Sequence, residues 1–115
     1  MLINISNHPS TKWSDAQKKE ALSMYDLICD IPFPDIDPLL TEVEITDLVQ
    51  LHVQQVIQRK PKAVHVMGEM NFTYKCVSIL KNYGIKCVAS TTSRNVSMID
   101  NQKITIFEFV QFREY

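Results

Sequence analysis

Along the chain, short apolar runs of strand character alternate with longer runs whose apolar residues recur at helical spacing. Leu2-Ile3-Asn4-Ile5 is a first strand that passes into the polar Ser6-Asn7-His8. A helix is expected to open at Ser14, because Ser14 and Gln17 stand at capping-box spacing. Leu27 to Phe33 is a second apolar run, ended by Pro32 and Pro34, and Asp35 to Leu40 reads as an irregular connection. Thr41 and Glu44 form a second capping box. After it, Ile45, Leu48, Val49, His52, Val53, Val56 and Ile57 trace one helical face, which Pro61 stops. Ala63 to Met67 is a third strand, ending at Gly68. Phe72, Cys76, Ile79, Leu80 and Tyr83 mark a third helix, with Asn71 as candidate N-cap and Gly84 placed at its C-terminus. Ile85 to Ala89 is a fourth strand. Beyond it, Val96 to Ile99 and Ile104 to Phe112 flank Asp100-Asn101-Gln102-Lys103 and predict a hairpin. In its second strand Ile104, Ile106, Glu108, Val110 and Phe112 alternate with Thr105, Phe107, Phe109 and Gln111.

This order of elements predicts an α/β fold, a Rossmann-like three-layer sandwich in which strand–helix alternation builds a mainly parallel sheet. The expected strand order is about 2-1-3-4, with right-handed crossovers, helices on both faces and the C-terminal antiparallel hairpin at one edge. A length of 115 residues suits one domain spanning 1–115. A net charge of −1, with acids and bases mixed, argues against coating long nucleic acid by charge alone, yet permits a short nucleotide held by a few groups. No apolar stretch nears the roughly 20 residues of a membrane span, and Met1 to Ile5 lacks the basic start and length of a signal peptide. Cys29, Cys76 and Cys87 are odd in number, in apolar contexts and without metal-ligand spacing. They read as buried thiols of a reducing compartment, by default a cytoplasmic one.

Ligands of open α/β sheets bind outside the carboxyl ends of the strands, where strand order reverses. In the order 2-1-3-4 that place lies between the first and third strands, and three polar segments are expected to open there: Ser6-Asn7-His8, Gly68-Glu69, and Ser90 through Arg94. The stretch Asn7 to Ser14 leads to a helix N-terminus, which suits an anion. It holds no glycine, so neither the P-loop nor the dinucleotide fingerprint applies. His8 is a candidate general acid or base, or with Asn7 and Pro9 the shaper of a turn. Gly68 permits close backbone approach. Glu69 is a candidate base or ribose acceptor, or simply a carboxylate favoured at a helix start. Ser90, Thr91, Thr92 and Ser93 lead to Arg94, whose two-donor fork suits phosphate or carboxylate; a polar turn explains the same residues. His65 and His52 read as packed, and Trp13 as either a base-stacking residue or a hydrophobic staple. Three scattered histidines with no carboxylate at ligand spacing make no metal site, and no cofactor is implied.

In Ile5-Ser6-Asn7-His8-Pro9, His65-Val66-Met67-Gly68-Glu69 and Ala89-Ser90-Thr91-Thr92-Ser93-Arg94, and in its layout over most of its length, the chain resembles the small CRISPR-associated Rossmann-like (CARF-like) proteins. These include the compact ring nucleases, which bind and in many cases cleave cyclic oligoadenylate second messengers. The resemblance implies binding and metal-independent cleavage of such a ring, by attack of a ribose 2′-hydroxyl on the adjacent phosphate, switching off type III CRISPR signalling. It implies that Arg94 and the hydroxyls of Ser90 to Ser93 hold phosphate, that His8 or Glu69 moves protons, and that Ser6, Asn7 and Gly68 contact the ligand. A cyclic tetranucleotide is two-fold symmetric and too large for one sheet edge, which implies a homodimer. The same fold also serves a non-catalytic module that senses or sequesters a nucleotide. A small-molecule phosphate-ester or nucleoside enzyme lacks an evident nucleophile or metal cluster here. Phe107 and Phe109 offer a subunit surface.

Overall fold

A computed structural model describes Met1–Tyr115. Its five strands, β1 (Leu2–Ser6), β2 (Ile28–Asp30), β3 (Ala63–Met67), β4 (Cys87–Ile99) and β5 (Gln102–Glu114), form one sheet in the order β2-β1-β3-β4-β5. The first four pair in parallel, and β5 runs antiparallel to β4. Three helices complete the α/β fold: α1 (Asp15–Tyr25), α2 (Glu42–Arg59) and α3 (Met70–Asn82). None of them is long and apolar enough to cross a membrane.

The helices start and stop where local chemistry tells them to. Ser14 Oγ accepts from the Gln17 amide at 3.2 Å. Thr41 and Glu44 complete a reciprocal capping box, each side chain accepting from the other's amide at 3.2 Å. The third helix begins earlier than expected. Its N-cap is Glu69, not Asn71, and Glu69 Oε1 accepts from the Phe72 amide at 2.8 Å. At its other end Gly84 takes φ 75°, and the amides of Gly84 and Ile85 donate to the carbonyls of Lys81 and Leu80. That is the paired-bond C-terminus for which glycine is favoured.

Alternation along β1 and β3 splits the sheet into two unlike faces. Ile3, Ile5, Val64 and Val66 meet α2 and α3 in the larger core, together with Val49, Val53, Phe72 and Leu80. Leu2, Ala63 and Val88 face α1 in a smaller core with Trp13, Ala21 and Tyr25. Further along the strands, the register places Asn4 beside His65 and Ser6 beside Met67 on the same side. Asn4, Ser6 and His65 are all buried, so the sheet carries a buried polar row toward its carboxyl edge.

Two features depart from the sequence pattern. Strand β4 runs unbroken through Ser90–Arg94 and pairs with β5 as far as Ile99 and Gln102. Ser90–Arg94 is thus strand rather than a loop past a strand end, and the sheet has five strands where the pattern indicates six. Hydroxyl residues with β-branched threonines suit an extended backbone, and here β5 supplies their ladder partners. The second feature is a bulge: Thr91 pairs with Gln111 but Thr92 with Phe109, so Val110 is an extra residue on β5. The bulge switches the alternation and brings Phe112 to the face of Phe109, with ring centroids 5.0 Å apart; simple alternation puts them on opposite faces. The ribbon closes through Asp100 and Asn101, at φ 51° and 62°, a two-residue turn that Asp and Asn tolerate.

Candidate functional site

The loop after β1 is held by its own backbone. The His8 carbonyl accepts from Asn4 Nδ2 and Trp13 Nε1, both at 3.0 Å, and lies 3.0 Å from Ser6 Oγ. These bonds fix the turn and leave the His8 side chain exposed. Trp13 is itself buried among Leu2, Ala21 and Tyr25, so the indole is first a core residue. A short 3-10 turn, Ser10–Lys12, joins the loop to Ser14 at the start of α1.

Between this loop, the carboxyl ends of β1 and β3, and the β4–β5 ribbon lies a cavity of about 530 Å³, within the usual range for small-molecule sites. Ser6, Asn7, His8, Gly68, Ser90 and Thr92 line it, so six of the sequence-derived candidates converge. Thr91 and Ser93 point to the other face of the ribbon, as strand alternation requires, and Thr91 Oγ1 donates to the Gln111 carbonyl at 3.2 Å. Arg94 pairs with Phe107 and so shares the ribbon face that borders the cavity, but it lies beyond the lining residues. Glu69 is outside the lining as well, engaged as the cap of α3. The lining includes Trp13, for which base stacking is one of two expected roles, and adds Lys12, His65, Phe107 and Phe109, which local sequence reading does not single out as ligand-site residues. None of the fourteen lining residues is acidic, although the chain as a whole carries a net charge of −1.

Behind the lining residues Ser6 and His65 runs a hydrogen-bonded chain, whose Asn4 and Asp30 border a neighbouring, smaller cavity. Asp30 accepts from Ser10 Oγ at 2.7 Å, from the Ser10 amide and from Asn4 Nδ2 at 2.8 Å. Burial works against the ionised Asp30, but the bonds from Asn4 and Ser10 outweigh it and hold the carboxyl below its ordinary value. Asn4 Oδ1 in turn meets His65 Nδ1 at 2.9 Å and Ser6 Oγ at 2.8 Å. His65 is only 2% exposed and packs edge-on against Trp13 and Phe112. Burial first, and the neighbouring His8 second, push its pKa from 6.5 down to about 4. It is a neutral imidazole at physiological pH.

Gly68 earns its place by close approach rather than by backbone conformation. A Cβ there would overlap the Phe33 ring, which itself packs at 5.0 Å against Phe72 in the larger core. Gly68→Ala is expected to destabilise the fold by about 2 kcal/mol through overpacking, with much of the loss recovered in Gly68→Ala/Phe33→Leu. Urea titration of the single and double variants measures both, and equal midpoints for wild type and Gly68→Ala would refute the contact.

No three His, Cys, Asp or Glu side chains gather closely enough to hold a metal ion. Cys76 and Cys87 are buried, and burial raises their thiols to about 12 and about 11, so neither supplies a thiolate nucleophile. Cys29 is only partly buried, contrary to the expectation for all three.

No curated protein and no solved structure matches the chain. A family model matches residues 1–113, and on that match the chain belongs to the Uncharacterized protein MJ1673 family.

Proposed function

We propose that the cavity binds a nucleotide, and that the ligand is a cyclic oligoadenylate cleaved without metal by attack of its 2′-hydroxyl on phosphate. The observation that carries this reading is the charge segregation: a cleft at the strand-order reversal with cationic and hydroxyl groups and no carboxylate, in a chain that is slightly acidic. Lys12 and the start of α1 favour a phosphate, while Ser90 and Thr92 offer hydroxyl donors beside it. Phe107 and Phe109 give a base an aromatic wall. Arg94, next to Phe107 on the same ribbon face, reaches a part of the ligand that extends past the cavity mouth. His8, exposed on the lining, is the proton-transfer group. Glu69 has a structural task in capping α3 and is not assigned to the reaction.

A ring of four nucleotides exceeds one such cavity, so the active unit in this proposal is a homodimer with the ligand on its two-fold axis. The ribbon supports this. Val96, Met98, Ile106 and Val110 are exposed on it, and a lone two-stranded ribbon gains little stability without a covering surface.

The test is incubation of the protein with cyclic oligoadenylates in EDTA, chromatography of the products, and light scattering of the complex. Linear products ending in a 2′,3′-cyclic phosphate and a two-chain mass are expected. His8→Ala should slow turnover about 100-fold or more, and Lys12→Ala should weaken binding. Glu69→Ala should retain turnover while losing about 1 kcal/mol of stability as a cap. Tight binding with the ring returned intact would favour a sensing or sequestering module. No binding would overturn both.

A further inference from the structure

The proton on His65 is fixed by a chain of bonds that begins at a carboxylate. Both hydrogens of Asn4 Nδ2 are engaged, one by Asp30 Oδ1 at 2.8 Å and one by the His8 carbonyl at 3.0 Å. Neither acceptor can donate, so the amide orientation is set and its oxygen faces His65. An amide oxygen only accepts. His65 Nδ1, 2.9 Å from it, must therefore carry the ring hydrogen, and Nε2 must carry a bare lone pair.

That lone pair has no donor anywhere in the chain, although Nε2 is buried. The ring lines the cavity and packs edge-on against Trp13 and Phe112, with Nδ1 toward Asn4 and Nε2 buried and unpartnered. Burial also opposes protonation of the ring, which keeps the acceptor an acceptor. A buried acceptor left without a partner is unfavourable, and such groups gather where a ligand completes them. Bringing a charged ammonium to a buried acceptor costs its hydration, whereas an uncharged O–H or N–H completes the same bond at a smaller desolvation cost.

We propose that His65 Nε2 is the acceptor through which the cavity recognises an uncharged hydrogen-bond donor on its nucleotide, supplied by a ribose 2′-hydroxyl or by the exocyclic amine of the base. This rests on the nucleotide reading of the same cavity. A site built around such a bond rejects an analogue that lacks the donor far more strongly than one that lacks a mere apolar contact. His65 is then a specificity-determining residue, set in place by Asn4 and Asp30 behind it.

Calorimetric titration of the full chain with three rings tests the proposal: cyclic tetra-adenylate, its 2′-deoxy counterpart, and the counterpart whose bases lack the 6-amino group. One of the two analogues is expected to bind at least about tenfold more weakly than the parent, which identifies the donor. In His65→Phe, where the ring has no acceptor, that difference should vanish. Nitrogen NMR of wild type needs no substitution: free His65 should show a protonated Nδ1 and a bare Nε2, and Nε2 should shift on saturation with the parent ring. Wild type binding all three rings equally, His65→Phe keeping the discrimination, or a protonated Nε2 in the free protein would each overturn the proposal while leaving nucleotide binding intact. Failure of wild type to bind any ring would overturn the nucleotide reading and this inference together.

Discussion

Asn4→Ala should cost about 3 kcal/mol of folding stability and release the proton arrangement on His65. Asn4 is 1% exposed and sits at the crossing of four polar groups: Asp30, Ser6, the His8 carbonyl and His65. Asp30 keeps its two bonds from Ser10, and the His8 carbonyl keeps Trp13 Nε1, so those partners lose little. His65 loses its only partner. Whichever ring nitrogen then holds the hydrogen, a buried imidazole is left with both nitrogens unpaired, since Nε2 has none already. A buried polar group deprived of its bond costs roughly 1–3 kcal/mol, and the cavity left by the amide adds to it. Urea unfolding should show a lowered midpoint with an unchanged slope. A change below about 1 kcal/mol would mean that the network is incidental to the fold. Asn4→Asp separates shape from hydrogen bonding. It keeps the side-chain outline but turns the 2.8 Å contact with Asp30 into a meeting of two carboxyl oxygens, and it offers His65 an anion that raises the imidazole pKa.

The same residues explain what could be read along the chain and what could not. Helix placement and the buried strands follow from local signals (capping at Ser14 and Thr41, the stop at Gly84, continuous apolar runs), and the strand order follows from their alternation through the crossover rule. The hydroxyl run Ser90–Ser93 is compatible with both turn and strand. Only the presence of β5 alongside decides it, and pairing partners are not local information. The bulge at Val110 is likewise invisible to alternation, and it moves Phe112 to the face where it touches His65. His65 illustrates the limit best. Between Val64 and Val66 it reads as packed, and it is packed. What makes it a site residue is the β1–β3 register that sets it opposite Asn4, and that register joins residues 61 positions apart. Glu69 is open to two readings from sequence, and the structure is consistent with the plainer one. A carboxylate after a strand-ending glycine suggests chemistry, yet it caps the helix that follows.

Stability should fall by about 3 kcal/mol between pH 7 and pH 4 on account of His65 alone, since its pKa drops from 6.5 unfolded to about 4 folded and each pH unit is worth ~1.36 kcal/mol. The sign follows from proton counting. Between those two values the unfolded chain binds a proton on this imidazole and the native chain does not, so acid favours unfolding. The contribution is complete above pH 6.5 and is lost as pH falls toward 4. Asp30 acts lower: its carboxyl is held below 3.8, so its share is lost only beneath the histidine window. His8 and Lys12 share the cavity lining with the ring and Asp30 lies behind Asn4, and all three persist in a variant that changes His65 alone. His65→Gln can still donate to Asn4 Oδ1 but does not titrate. Subtracting its urea-derived stability profile from that of wild type therefore isolates the imidazole. The difference should be flat above pH 6.5 and fall steadily to pH 4. Parallel profiles across that range would show that His65 is protonated as easily in the fold as in water, and the bare Nε2 acceptor would go with it.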